Sequence, residues 1–280
     1  MTTTFFRTMM YLMTIILVPS LVIAGQLPEK IVFMWQVHNN TDDQEFQLLK
    51  DLGVNTVQSF QFSTWSDQEI KTYLDRAQKY QMNVIAYLGK LLKKNDSTGQ
   101  WFYDGDTVQF ILKWKDHPAI GAWHICDEPK ERDISAANQV TLYQFVKEID
   151  PLHPIMISTN VVSEKHFTKY FTEEAFDILD IHKYVNPDVS TAQRKQVQNL
   201  FKNTTKRFTV IATMRAYNAP ITKRKRKKMT DTSLREQYTF YVKESGLKNI
   251  GFYGWALAPN SGIKDDPSIN SQFLELMRGR

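Results

Sequence analysis

The sequence contains a single cysteine, Cys126, among its 280 residues, so no internal disulfide bond can form. The fold must therefore be held together by its hydrophobic core. Hydrophobic residues make up 42% of the chain, which is enough for one sizeable core at this length. The formal net charge of +5 is small, and it favours acidic partners only where the positive residues are clustered.

Several catalytic and cofactor motifs are also absent. No Gly-x-Gly-x-x-Gly follows the first predicted strand, which argues against a dinucleotide-binding sheet, and no Gly-x-Ser-x-Gly elbow supports Ser-His-Asp catalysis. His124, Cys126 and Glu128 alternate onto one face of a predicted strand, but the first strand carries no His-x-His pair to complete a ligand set. We therefore expect no metal ion and no cofactor, with a metal-dependent hydrolase as a weaker alternative.

The N-terminal residues 1–24 differ in composition from the rest of the chain. Arg7 is their only charged residue, Met9–Ala24 is nearly all apolar, and Val22 and Ala24 are the small residues of a cleavage site. This layout is typical of a secretory signal peptide, and the apolar run is short for the ~20 residues that a spanning helix needs. We expect cleavage, a secreted or periplasmic protein and no stable membrane span; an N-terminal membrane anchor is the alternative.

Residues 26–280 show a strand-then-helix pattern that repeats eight times. Such alternation predicts parallel strands joined by right-handed crossovers, and eight units predict closure into a barrel. The sequence therefore predicts the α/β class and one (β/α)8 barrel domain, with a doubly wound open sheet as the alternative. The predicted strands are 31–37, 56–62, 83–88, 119–129, 154–159, 178–184, 208–214 and 250–255.

Helix boundaries follow from capping residues. Thr41 is the predicted N-cap of the first helix and Gly53 ends it, while Ser66 is the predicted N-cap of the second. Residues 93–96 form a predicted polar loop before the third helix. The later helices are predicted at about 135–149, 165–171, 192–201, 232–245 and 269–277.

In a (β/α)8 barrel, functional side chains lie at the carboxyl ends of the strands. The fourth predicted strand ends in two adjacent carboxylates, Asp127 and Glu128. Aromatic, amide and acidic side chains at the other strand ends suit a carbohydrate, because aromatic rings stack on sugars and polar groups bind the hydroxyls. The predicted substrate-binding residues are Trp35, His38, Gln61, Asn160, His182, Tyr184, Arg215 and Trp255.

A set of local motifs adds to this interpretation. The motifs are the helix-to-strand turns Leu49–Val57 and Ala77–Ile85, the Asp127-Glu128-Pro129 end of strand four with Trp123 before it, His182-Lys183-Tyr184 on strand six, and Trp255 on strand eight. In these features the chain resembles the clan A glycoside hydrolases over nearly all of its mature length. The resemblance implies an enzyme that cleaves O-glycosidic bonds of a polysaccharide or glycoconjugate, with Glu128 as general acid/base and Asp127 as the neighbour that tunes or orients it.

The chain departs from that family on strand seven. Clan A enzymes carry a nucleophilic glutamate there, whereas Ala212–Tyr217 contains no acid. Three interpretations remain open. A second acid comes from elsewhere, with Asp180 and Asp127 as candidates and inversion expected at a carboxylate separation of about 6.5–9.5 Å; the substrate supplies its own nucleophile; or the barrel binds carbohydrate without catalysis.

A basic run, Lys223–Lys228, follows the seventh predicted strand. In a secreted protein we expect no nucleic-acid partner for it. Because it follows a strand end, it should lie on the same face as Glu128 and attract an anionic glycan, and a solvated loop without a ligand is the alternative.

Overall fold

The computed structural model describes residues 25–160, 170–182, 191–204, 208–218, 229–230, 232–257 and 261–279. Eight parallel strands close into one barrel, which confirms the predicted fold class and excludes the open sheet. Each strand pairs with its neighbours along the chain, and the last strand pairs with the first. The barrel strands, numbered in chain order, are β1 (Val32–Trp35), β2 (Thr56–Gln58), β3 (Asn83–Tyr87), β4 (Ile120–Asp127), β5 (Ile155–Thr159), β6 (Ile178–Ile181), β7 (Thr209–Arg215) and β8 (Asn249–Tyr253).

Seven α-helices surround the barrel in the part of the chain that the structure describes. They are α1 (Asp43–Asp51), α2 (Asp67–Lys79), α3 (Gly105–Trp114), α4 (Ala136–Ile149), α5 (Thr191–Thr204), α6 (Ser233–Tyr238) and α7 (Pro267–Arg278). Helix α6 continues directly into a π-helical turn, Thr239–Glu244. The helix predicted at 165–171 falls largely outside the described residues. None of the described helices is long and apolar enough to cross a membrane.

Two local predictions need correction. The N-cap of α1 is Asp42 rather than Thr41, because the Asp42 side chain accepts from the backbone N–H of Glu45 while the Glu45 carboxylate accepts from Asp42 N. The loop predicted at 93–96 contributes to a short antiparallel hairpin, Lys93–Lys94 with Trp101–Phe102. Asn138 on α4 bonds both the N–H and the carbonyl of Trp101 and so holds this hairpin.

The predicted N-cap of α2 is confirmed, and it allows a stability prediction. The Ser66 hydroxyl and the Glu69 carboxylate form a capping box with each other's backbone N–H groups. We expect Ser66→Ala to lower the free energy of unfolding by about 1 kcal/mol in urea titrations, because a helix N–H loses its acceptor. Ser97→Ala, in an exposed loop, is the control; an equal loss in both variants would contradict the capping role.

The hydrophobic core has two layers. Most of it lies between the barrel and the helices, and a smaller cluster fills the barrel interior. Alternation along β1 sends Phe33 and Trp35 inward, while Val32 and Met34 face the helices. The barrel interior is therefore packed with side chains rather than open.

An irregularity in β4 decides which side chains reach that rim. The register between β4 and β5 shifts between His124 and Cys126, as in a β-bulge. Cys126 consequently belongs to the cluster between barrel and helices, whereas His124 contacts Trp35 and Tyr87. The prediction that His124, Cys126 and Glu128 share one face is therefore wrong.

Candidate active site

Glu128 lies at the carboxyl end of β4, where the strand turns into the following loop. Its backbone N–H still donates to Ser158 O at 2.9 Å, so pairing with β5 continues one residue past the strand. Its φ of 49° is left-handed, which is uncommon for a residue other than glycine and costs on the order of 1 kcal/mol. The side chain is 34% exposed. The fold thus holds a partly exposed carboxylate at the barrel mouth in a strained conformation.

Side chains from the next two strands converge on this carboxylate. Asn160 Nδ2, just after β5, donates to Glu128 Oε1 at 2.7 Å, and His182 Nε2, just after β6, lies 3.0 Å from the same oxygen. Because parallel strands end at one rim, residues far apart in sequence meet here. Glu128, Asn160 and His182 were all predicted from the sequence, and the structure brings them together.

A chain of polar groups extends from His182 into the barrel interior. His182 Nδ1 lies 3.8 Å from Asp180 Oδ2, and Thr213 Oγ1 donates to Asp180 Oδ1 at 2.6 Å. Trp35 Nε1 in turn donates to Thr213 Oγ1 at 3.2 Å. Burial alone lowers the pKa of His182, but the carboxylates of Asp180 and Glu128 outweigh it and raise the pKa to about 10. His182 is therefore an imidazolium near neutral pH.

A second polar chain supports Asp127. Ser158 Oγ donates to Asp127 Oδ1 at 2.6 Å and also lies 3.0 Å from His124 Nε2. Gln58 Nε2 donates to His124 Nδ1 at 2.7 Å. Burial lowers the pKa of His124 to about 3, so its ring is neutral, and burial raises the pKa of Asp127. Asp127 is thus held by its own hydrogen-bond partner, Ser158, while the charge of His182 acts on Asp127 and Glu128 alike.

Aromatic and basic side chains line the rim beside the two carboxylates. Arg132 Nη2 donates to Tyr87 OH at 3.0 Å, and Gln36 Nε2 donates to Tyr253 OH at 3.3 Å. Burial and the nearby carboxylates raise the pKa of Tyr253 to about 12, so its phenol stays protonated and can donate a hydrogen bond. Tyr253 was not among the predicted site residues, because the predicted eighth strand ended at Trp255. The signal was Gly254, whose φ of 115° ends the strand.

The other predicted substrate-binding residues lie in different settings. Trp35, Arg215 and Trp255 are buried rather than exposed at the cleft, and Arg215 Nε donates to Tyr217 O at 3.0 Å. Trp35 packs in the cluster that fills the barrel interior, and Trp255 packs in the cluster between barrel and helices after Gly254 turns the chain. His38 Nδ1 lies 2.9 Å from Ser59 Oγ, and Gln61 is exposed beside a short helical turn. Tyr184 and Lys223–Lys228 lie outside the described residues.

The candidates for a second acid do not face Glu128 across an open cleft. Asp180 is fully buried and separated from Glu128 by the His182 ring, and Asp127 is its chain neighbour. The end of β7 carries Met214 and Arg215. Within the described part of the chain, no group of three His, Cys, Asp or Glu side chains could hold a metal ion.

Gly251 on β8 gives Thr213 the space it occupies. A methyl group at Gly251 would overlap Thr213 Oγ1. We therefore expect Gly251→Ala to displace Thr213 from Asp180 and to lower the free energy of unfolding by about 2 kcal/mol in urea titrations. At Gly105 an added methyl group meets no atom within 4 Å, so Gly105→Ala is the matched control. Comparable losses in both variants would show that the contact with Thr213 has no special role.

The closed barrel with polar groups at its carboxyl rim has the fold of known glycoside hydrolases. A proposed α-L-fucosidase from Bacteroides thetaiotaomicron superposes with a TM-score of 0.60 at 14% identity, covering 94% of this chain and 98% of that one. A β-galactosidase from the psychrophilic Marinomonas ef1 gives 0.61 at 8% identity, covering 89% and 59%. A glycoside hydrolase family 5 protein from Bacteroides vulgatus gives 0.56 at 12% identity, covering 81% and 59%.

These identities show a shared fold. This chain spans 59% of the length of the second and third proteins. No protein-family model and no curated protein matches the sequence.

Proposed function

We propose that this protein is a secreted glycosidase that cleaves O-glycosidic bonds of a polysaccharide or glycoconjugate, with Glu128 as general acid/base. The proposal rests on the arrangement of Glu128 at the rim. Its carboxylate is partly exposed, its backbone is left-handed, and Asn160 and His182 hold the side chain. Strained backbone at a convergent polar site is typical of functional positions. The shared fold with glycoside hydrolases supports the same class of substrate.

In the proposed reaction, Glu128 gives up one proton and later takes one back. Glu128 in its acid form gives its proton to the glycosidic oxygen as the C–O bond to the anomeric carbon breaks, which releases an alcohol. A water molecule then adds to the anomeric carbon, and its proton returns to the Glu128 carboxylate. The His182 imidazolium, donating to Glu128 Oε1, stabilises the carboxylate formed between these two steps.

A panel of aryl glycosides and polysaccharides tests the proposal. It should include neutral, uronic-acid and sulfated sugars, with released phenol or new reducing ends as the readout. We expect turnover of at least one member. Saturable binding by calorimetry without turnover of any bound member would contradict a glycosidase.

A non-catalytic carbohydrate-binding barrel is the second candidate. One observation favours it: the end of β7 carries the buried Arg215 where the resembled family has its nucleophile. A binding barrel would release no product from any glycan that it binds. Turnover that depends on Glu128 would exclude it.

Secretion and a preference for anionic glycans are further parts of the proposal. They rest on the composition of residues 1–24 and on the basic run Lys223–Lys228. N-terminal sequencing of the exported protein tests the first. For the second, we expect affinity for an anionic glycan to fall as salt is raised from 0.05 to 0.5 M, and equal affinity at both concentrations would contradict it.

A further inference from the structure

We propose that Asp180 is a positioning residue that, from inside the barrel, fixes the His182 ring against Glu128. This inference rests on the proposed function, since it assigns a role in supporting Glu128. Asp180 itself is too deep to touch a substrate: it is fully buried, and the His182 ring lies between it and the rim.

The Asp180 carboxylate is buried and only partly hydrogen-bonded. Asp180 Oδ1 accepts from Thr213, whereas Oδ2 has no hydrogen-bond partner within 3.5 Å among the described residues and lies 3.8 Å from His182 Nδ1. A buried carboxylate with an unbonded oxygen is costly unless a nearby charge compensates it. An apolar residue would fill this layer of the barrel at a lower cost. The arrangement makes physical sense when the ring beside it is a cation.

Asp180, His182 and Glu128 follow one another in a fixed order from the core to the rim. Exposure rises from 0% for the Asp180 side chain to 10% for His182 and 34% for Glu128. Asp180 on β6 and His182 just after that strand share a face, because side chains two residues apart point the same way. With Nδ1 directed at Asp180, the ring must present Nε2 to Glu128, which is the geometry observed.

The Asp180 carboxylate is itself held in place by residues of other strands. Thr213 accepts from Trp35 Nε1 while donating to Asp180, and Gly251 leaves the room for its hydroxyl. Two further strands, β1 and β8, therefore contribute to the position of one carboxylate. An acid without a role would not need residues from β1, β7 and β8 to orient it.

The groups that face His182 among the described residues set its protonation. Asp180 lies on β6, the strand that leads to His182. Strand β4 and the residue after it contribute Asp127, Glu128 and the neutral His124. Asn160, just after β5, and Thr213, within β7, are uncharged. Removing the charge of Asp180 should therefore lower the pH at which His182 loses its proton.

The experiment is an imidazole NMR titration of the full chain labelled with 15N-histidine. The sequence has six histidines, and the His182 signal is assigned by its loss in His182→Gln. In the wild type we expect a midpoint of about 10. In Asp180→Asn we expect the midpoint to fall by about 1–3 pH units, because an opposite charge next to the ring is lost. The alkaline limb of the pH–rate profile should move in the same direction.

Asp150→Asn is the matched control. It removes a second buried aspartate that bonds a histidine, His153, at the opposite end of the barrel. We expect it to leave the His182 midpoint unchanged.

Two results would overturn the proposal: a wild-type His182 midpoint near 6.5, or an unchanged midpoint in folded Asp180→Asn. If that variant does not fold, Thr213→Val keeps the charge and removes its hydrogen bond. A shift of at least about half a pH unit is expected there, and no shift would count against the proposal. The NMR measurement needs no substrate. Failure to find a cleaved glycoside therefore refutes the proposed function alone. If a glycoside is cleaved but the His182 midpoint is the same in the wild type and in Asp180→Asn, the positioning role alone is refuted.

Discussion

Glu128→Gln should reduce turnover of a cleaved glycoside by ~10²–10⁴-fold, the usual contribution of a general acid. Glutamine keeps the size of the side chain and an acceptor oxygen for Asn160 and His182, but it has no acidic proton to give. Because the side chain is 34% exposed, we expect the free energy of unfolding to change by less than about 1 kcal/mol. Turnover and urea unfolding, measured on the same preparation, separate the two effects.

The leaving group makes this test sharper. A nitrophenolate departs without protonation, whereas a sugar or alkyl alcohol needs a proton as it leaves. The loss in Glu128→Gln should therefore be largest for natural oligosaccharides and smallest for nitrophenyl glycosides. Glu131→Gln, on the exposed loop just beyond, is the control and should keep full activity. An equal loss for all leaving groups would mean that Glu128 binds the sugar rather than protonates it.

The largest expected effect on stability is at Asp150, below the opposite end of the barrel. Its carboxylate accepts from Trp123 Nε1 at 2.7 Å and from His153 Nδ1 at 2.6 Å, and also from the backbone N–H groups of Leu152 and His153. We expect Asp150→Ala to lower the free energy of unfolding by about 3–5 kcal/mol, because buried donors lose their acceptor. Urea titration measures the loss.

Asp116 provides the comparison, since it pairs with Lys115 at the surface and is 80% exposed. Asp116→Ala should cost less than about 0.5 kcal/mol. If the two substitutions cost the same, the buried network around Asp150 would have no special weight in stability.

The same network predicts how stability depends on pH. Burial alone raises the pKa of Asp150, but hydrogen bonds from His153 and Trp123 outweigh it and lower the pKa from its ordinary 3.8 to about 2. Because the folded-state pKa lies below the unfolded one, the contribution is complete above about pH 4 and is lost as pH falls towards 2. It amounts to about 2 kcal/mol. The difference in unfolding free energy between wild type and Asp150→Asn should shrink across this pH range, and a constant difference would contradict the mechanism.

Sequence periodicity determined the fold class and much of the site. Strands that alternate with helices leave little choice but parallel pairing, and parallel strands bring their carboxyl ends to one rim. The rim positions of Glu128, Asn160 and His182 follow from that rule once the strand ends are located. Their roles in catalysis stay predictions until turnover is measured.

Only the tertiary structure decided which neighbouring side chains reach the rim. The register shift after His124 turns Cys126 towards the helices, whereas simple alternation predicts that it faces the same side as His124. The Asp127 carboxylate then accepts a hydrogen bond from Ser158. Gly254 ends β8 early, so Tyr253 lies at the rim and Trp255 is buried. A bulge or a strand end depends on pairing with a neighbouring strand that is distant in sequence. Local alternation therefore identified the acids at the end of β4, while strand pairing determined their partners.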